Sequence, residues 1–164
     1  MSDLETRLRK LEDADAIRAM KSRYFFCCDR KDPKGMRACF ADGKVHIDYG
    51  AIGTFDNADA LVKIFSEIGC HDFMVEMHHG MNPQIEVVDE KSARGKWSLH
   101  YFLINTQQKN LTQLAGYYED EYVKQNGAWK ISRTKFTPTS TLAMDLSEVT
   151  PKTLFAGRTP PPPA

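Results

Sequence analysis

Carboxylates and imidazoles are the side chains here that could move protons: Asp29 closes a stripe of apolar residues, and His78 and His79 are adjacent in a strand-like run. An imidazole with an unperturbed pKa of about 6.5 exchanges protons at neutral pH, and a well-placed one is worth roughly 10²–10⁴ in rate as a general base. A carboxylate bonded to one ring nitrogen fixes the tautomer and leaves the other nitrogen bare. Taken singly, neither type is diagnostic. An Asp at a helix end is more often a cap, and a strand His is more often bonded to backbone in a core. Neighbouring strand residues point to opposite faces, so only one of His78 and His79 enters an interior. Tyrosine hydroxyls could donate to an oxygen that gains charge.

Other groups carry weaker signals. His46 and Asp48 share a strand face and with His100 could hold a metal, but no HxH or CxxC unit supports this and exposed strand polarity accounts for them. No metal and no cofactor is expected. Cys27, Cys28, Cys39 and Cys70 show neither disulfide density nor zinc spacing and read as reduced, buried thiols. The run Glu119-Asp120-Glu121 reads as a solvated outer edge with Asp120 bonded locally.

The elements that must position these residues follow from periodicity. Ser2 and Glu5 have capping-box spacing before Leu4, Leu8 and Leu11, which predicts a short amphipathic helix over the first dozen residues. Asp13 and Asp15 mark a second helix whose apolar stripe is Ile17, Met20, Tyr24 and Cys28, ending at Asp29. Pro33 starts a short helix to about residue 40, and another spans about 57–68. Val45, Ile47 and Tyr49 alternate with polar residues in a short strand. Long strand patterns then run through residues 74–88, 93–104 and 114–124, and Asn126-Gly127 turns the last of these into a final strand through Phe136. Helices followed by an antiparallel meander make the chain α+β, with helices on one face of a curved sheet.

Composition limits the partners. The chain has 164 residues, 41% of them hydrophobic, which suits one compact domain. Lys and Arg total 22 and Asp and Glu total 22, which excludes a broad electrostatic footprint for nucleic acid or anionic membrane. No apolar run approaches the roughly eighteen residues of a membrane span, and the charged N-terminus is unlike a secretory signal. A cytoplasmic protein is expected.

The phrases AIRAMKSRYFFCCDRKD, ADGKVHIDYGAIGTF, MHHGMNPQIEV and GYYEDEYVKQNGAWKIS, in that order, resemble the SnoaL-like branch of the nuclear transport factor 2-like superfamily. The resemblance covers about residues 10–140. It implies a cone-shaped α+β domain over residues 1–145, a bent sheet round N-terminal helices with a deep apolar pocket, and a C-terminal arm over 146–164 with its proline-rich end. Scytalone dehydratase, bile acid 7α-dehydratase, hexachlorocyclohexane dehydrochlorinase, ketosteroid isomerase and limonene epoxide hydrolase share this cone, as do non-catalytic modules, so fold alone does not settle function.

By the same resemblance, Asp29 and His78 match the Asp-His dyad of the eliminating members, with His78 rather than His79 entering the pocket, and Tyr24 is a third catalytic candidate. The family's strand parity turns Trp97, Leu99, Tyr101 and Leu103 inward, together with Leu114, Gly116, Tyr118 and Tyr49. On the last strand Thr134 and Phe136 are favoured inward, although Trp129, Ile131 and Arg133 form an equally regular face, which leaves Arg133 open. Tyr49, Tyr101, Tyr118 and Phe136 are the implied substrate contacts. The implied activity is a cofactor-independent lyase that eliminates water, halide or formaldehyde from a small hydrophobic aromatic or polycyclic substrate. The alternatives are an isomerase or hydrolase of the same fold and a non-catalytic small-ligand-binding module. A homo-oligomer is expected, a trimer before a dimer.

Overall fold

Residues 3–148 are described by the computed structural model. No glycine or proline precedes Pro33, so nothing interrupts helical hydrogen bonding near the start of the chain. One helix, α1 (Asp3–Asp29), forms in place of the expected two. Asp13, read as a second start, lies in its interior, because its carboxylate serves tertiary structure by accepting from Lys124 Nζ at 2.7 Å and Trp129 Nε1 at 2.8 Å. Ile17, Met20, Tyr24 and Cys28 face the core, whereas Leu4, Leu8 and Leu11 stand 71%, 54% and 70% exposed on the first turns.

The end of α1 determines where the site begins. The Asp32 N–H bonds the Cys27 carbonyl at 2.9 Å and the Lys31 N–H bonds the Cys28 carbonyl at 3.1 Å, a Schellman closure with Lys31 left-handed at φ 58. Asp32 then caps α2 (Pro33–Ala38) through the Gly35 N–H at 2.9 Å. Strands β1 (His46–Asp48) and β2 (Thr54–Phe55) follow, then α3 (Ala58–Ile64), capped by Asn57 and continued by a π turn over Phe65–Gly69. Four long strands complete the described chain: β3 (Met74–Val87), β4 (Ser92–Asn105), β5 (Asn110–Gln125) and β6 (Ala128–Asp145).

The six strands form one sheet in the order β2-β1-β6-β5-β4-β3, antiparallel except for β1 beside β6. β3 is therefore an edge strand, and α1 packs against it. Irregular register occurs between Met81 and Gln84 on β3 and at two places on the β5–β6 pair. Each such insertion adds bend and twist, and together they curl the sheet round α1.

The β5–β6 irregularities explain two departures from expectation. Tyr122 pairs with Ile131 while Glu121 pairs with Arg133, so Ser132 is the extra residue of a bulge. Trp129 and Ile131 face inward before it, and Thr134 and Phe136 face inward after it. The two regular faces read in the sequence are thus both used, one on each side of the bulge. Arg133 points outward, 3.7 Å from Glu121 Oε1. The final strand also continues nine residues past Phe136, because Pro138 sits at a second register shift opposite Gly116 and costs no ladder bond there. The arm expected over 146–164 lies outside the described residues from 149 onward.

Asp120 is another correction. It follows Gly116 and Tyr118 on the inward parity of β5, and its carboxylate is fully buried 2.8 Å from the equally buried Lys21 Nζ. The approach is an ion pair without hydrogen-bond alignment. Tyr122 donates its hydroxyl to Asp120 Oδ2 at 2.8 Å, and Trp97 Nε1 donates to the Tyr122 oxygen at 2.9 Å. Lys21 Nζ also lies 3.9 Å over the Tyr118 ring. An acidic residue remains inside the fold because partners surround it. Of the cysteines, Cys27, Cys28 and Cys39 are buried and Cys70 is only half-buried, and none forms a disulfide.

Candidate active site

Asp29 is the last residue of α1, and β3 passes beside it with an unpaired edge. The carboxylate meets that edge in two ways. His78 donates its backbone N–H to Asp29 Oδ1 at 3.0 Å and Oδ2 at 3.2 Å, and its ring Nδ1 lies 2.7 Å from Oδ1. The contact distance and the ionised acceptor make this a short, charge-assisted bond. In a neutral ring that donates to this carboxylate the proton sits on Nδ1 and Nε2 is bare. The Asp29 and His78 side chains keep 17% and 15% of their surface exposed, so the pair is not sealed inside the fold. His79, on the opposite face, is exposed and stacks on His100 with ring centroids 5.9 Å apart.

Aromatic rings hold the imidazole in place. Phe25 from α1 stacks on it at 6.0 Å with a 16° interplanar angle, and Tyr101, its cross-strand partner on β4, lies at 4.8 Å. Gly80, two residues beyond His78 on the same face, gives Phe25 its room: a Cβ there would stand 2.1 Å from the ring edge. Gly80→Ala is therefore expected to displace Phe25 and lower stability by about 1–3 kcal/mol, read from urea unfolding. A loss below a few tenths would mean that the ring moves freely.

Phe25 also links the dyad to a deeper aromatic group. Its ring centroid lies 5.5 Å from Tyr24 and 5.7 Å from Tyr118, and Tyr118 in turn packs on Tyr49 at 5.9 Å and on Phe136 at 4.8 Å. The Tyr24 and Tyr49 hydroxyls are 2.9 Å apart and both residues are buried. Of the residues proposed from the sequence, Asp29, His78 and Tyr101 come together at the solvent-reachable side. Tyr24, Tyr49, Tyr118 and Phe136 form the floor beneath Phe25. The Tyr24 hydroxyl is directed at Tyr49 rather than at the dyad.

Burial pushes the phenols of Tyr24, Tyr49, Tyr101, Tyr118 and Tyr122 well above their ordinary value, and neighbouring Tyr49, Glu76 or Asp120 adds to the effect. Because these pKa values are higher folded than unfolded, the associated stability is fully present below the unfolded phenol value of about 10 and is lost as pH rises beyond it. Spectrophotometric titration should show phenolate absorbance from these residues appearing only together with loss of the near-ultraviolet dichroism of the fold. Reversible ionisation near pH 10 with the fold intact would contradict their burial.

Two groups at the dyad went unread in the sequence. Glu76 accepts the Tyr101 hydroxyl proton on Oε2 at 2.6 Å and pairs through Oε1 with Lys31. Period two on β3 could have found Glu76, since it stands two residues before His78. Nothing local pointed to Lys31, whose reach depends on its left-handed turn.

Metal donors do not converge here. Among the described residues no three His, Cys, Asp or Glu side chains come together; His46 lies 3.6 Å from Asp56, and His100 on β4 is separated from β1 by β6 and β5. A groove of about 710 Å³ runs over the outward face of the sheet between Arg94, Lys96, Glu119 and Arg133, and another of about 590 Å³ lies between α1 and the β5–β6 turn. Neither includes a residue of the dyad. No helix among the described residues is long and apolar enough to cross a membrane.

Known proteins share this architecture. The sequence profile of a SnoaL-like domain matches residues 9–135. A candidate scytalone dehydratase from Novosphingobium aromaticivorans superposes with a TM-score of 0.74 at 26% identity, over 90% of this chain and 92% of its own. The type 3 hexachlorocyclohexane dehydrochlorinase LinA from Novosphingobium barchaimii superposes with a TM-score of 0.76 at 17% identity, over 94% and 99%. A protein with a cystatin-like fold from Nostoc punctiforme gives 0.62 at 18% identity, over 75% and 88%.

Proposed function

The chain belongs to the SnoaL-like family, and from that premise we propose that it is a lyase, with His78 as general base and Asp29 as the carboxylate that orients it. The observation that carries this reading is the 2.7 Å contact between His78 Nδ1 and Asp29 Oδ1. A carboxylate that also takes the backbone N–H of the same histidine is fixed relative to the ring before any substrate arrives. Such preorganisation avoids the reorganisation cost at the moment of proton transfer.

In the proposed reaction His78 Nε2 removes a proton from a substrate carbon next to the carbon that bears the leaving group. The electron pair of that C–H bond becomes the new π bond. The leaving group departs with its own bonding pair, either as halide or as hydroxide that collects the proton from the imidazolium and leaves as water. Asp29 stabilises the imidazolium while it exists without itself taking the proton. Phe25, Tyr101, Tyr118 and Phe136 suit an alicyclic or aromatic ring better than a sugar or a phosphate. The names of the structural relatives, a scytalone dehydratase candidate and a hexachlorocyclohexane dehydrochlorinase, fit eliminations of this class.

The test is turnover of scytalone, hexachlorocyclohexane and hydroxylated aryl or polycyclic ketones by the native chain and by His78→Ala. Formation of the unsaturated product by the native chain, lost in the variant, supports the reading. Equal turnover by both would overturn it.

A further inference from the structure

Lys31 and Glu76 form an ion pair beside the dyad with side chains only 3% and 8% exposed. Lysine reaches this position from a left-handed backbone at φ 58. That conformation is unfavourable for a residue with a Cβ and is the usual place for glycine at this kind of helix end. Burying two charges costs more still unless further bonds satisfy them. Neither backbone preference nor burial accounts for a lysine there, so its side chain is what the turn retains.

Glu76 connects the pair to His78. Both lie on the same face of β3, and Tyr101 bridges them, donating its hydroxyl to Glu76 Oε2 at 2.6 Å while its ring packs 4.8 Å from the imidazole. A phenol has one proton. With that proton directed to Glu76, the Tyr101 ring is held against His78, and its oxygen presents lone pairs rather than a donor to anything in the site.

The geometry points to Glu76 as a positioning residue for His78, held by Lys31 and acting through Tyr101 and through its own charge. This inference rests on His78 being the base. The imidazole touches Asp29 at the end of α1 and Tyr101 on β4, and behind Tyr101 stand Glu76 on β3 and its partner Lys31 in the turn after α1. Burial pushes the Tyr101 phenol up, so it stays neutral. Two carboxylates then face one ammonium. The cluster carries one net negative charge, and a proton accepted by the imidazole neutralises it.

The experiment follows the His78 ring C–H resonances by NMR across pH in the native chain, in Glu76→Gln and in Glu76→Gln with Lys31→Met. Glutamine still accepts the Tyr101 hydroxyl, so Glu76→Gln removes charge and keeps the bond. Its titration midpoint should fall by about one unit, and kcat should fall about three- to tenfold with KM within about twofold. Removing Lys31 as well restores the charge balance facing the ring, and the midpoint should return toward the native value. A merely structural pair would leave the double variant at least as perturbed as the single one. An unmoved midpoint in Glu76→Gln, or a double variant no closer to native than the single, would overturn the assignment. The titration uses no substrate, so turnover that survives His78→Ala would remove the lyase reading without deciding the role of Glu76.

Discussion

His78→Ala is expected to lower kcat for elimination by roughly 10²–10⁴ while leaving far-ultraviolet dichroism and the thermal midpoint close to native. The size follows from removing the imidazole that Asp29 contacts. Retention of the fold follows from its place on an edge strand with a partly exposed side chain, where truncation opens no sealed cavity. The backbone N–H that anchors Asp29 survives the substitution, so the end of α1 keeps its register against β3. Asp29→Asn supplies the complementary measurement. An amide can offer N–H to Nδ1, which would drive the ring proton to Nε2 and block the base without emptying the site. A kcat in His78→Ala within a few-fold of native would show that the imidazole is not the base.

The largest effect on stability is expected from Asp120→Ala. Its carboxylate and the Lys21 ammonium have no exposed surface and sit 2.8 Å apart. Removing one partner strands the other charge in the core, and losses of about 3–5 kcal/mol follow from that kind of deletion. The Tyr122 hydroxyl loses its acceptor at the same time. Adding Lys21→Met to Asp120→Ala should recover a large part of the loss, since the cost lies mainly in the uncompensated charge. Urea midpoints at constant m-value would measure both steps. A single variant within about 1 kcal/mol of native would mean that water reaches the pair.

Much of this molecule is legible from residue order, and the places where it is not have common causes. Ile17, Met20, Tyr24 and Cys28 face the core as helical period requires, and Trp97 and Leu99 face it as strand period requires. The two-helix expectation for residues 1–29 fails because Asp13 caps nothing locally: its partners, Lys124 and Trp129, lie more than a hundred residues away. The β6 ambiguity could not be resolved by period, since one inserted residue, Ser132, switches the inward set partway along the strand. Asp120 was legible by parity with Tyr118, but an acidic triplet suggested solvent more strongly than period suggested burial.

At the candidate site, the family resemblance pairs Asp29 with His78, and their contact depends on where the closing turn of α1 meets the β3 edge, which no local pattern encodes. Glu76 and Lys31 belong to the same cluster, yet one was hidden in a strand of mixed polarity and the other behind a turn geometry that lysine seldom adopts.

The bond from the His78 N–H to Asp29 also bears on how chains of this protein meet one another. A free sheet edge invites another strand to dock, and β3 is a long edge with exposed Met77 and Met81 on its outer face. Asp29 occupies a donor in the middle of that edge with a charged, anchored side chain. An invading strand would have to displace it and lose the orientation of the imidazole in the same event. The carboxylate that holds the His78 ring thereby also blocks the middle of this edge against strand pairing, so a change at Asp29 bears on how chains associate as well as on how the ring is oriented.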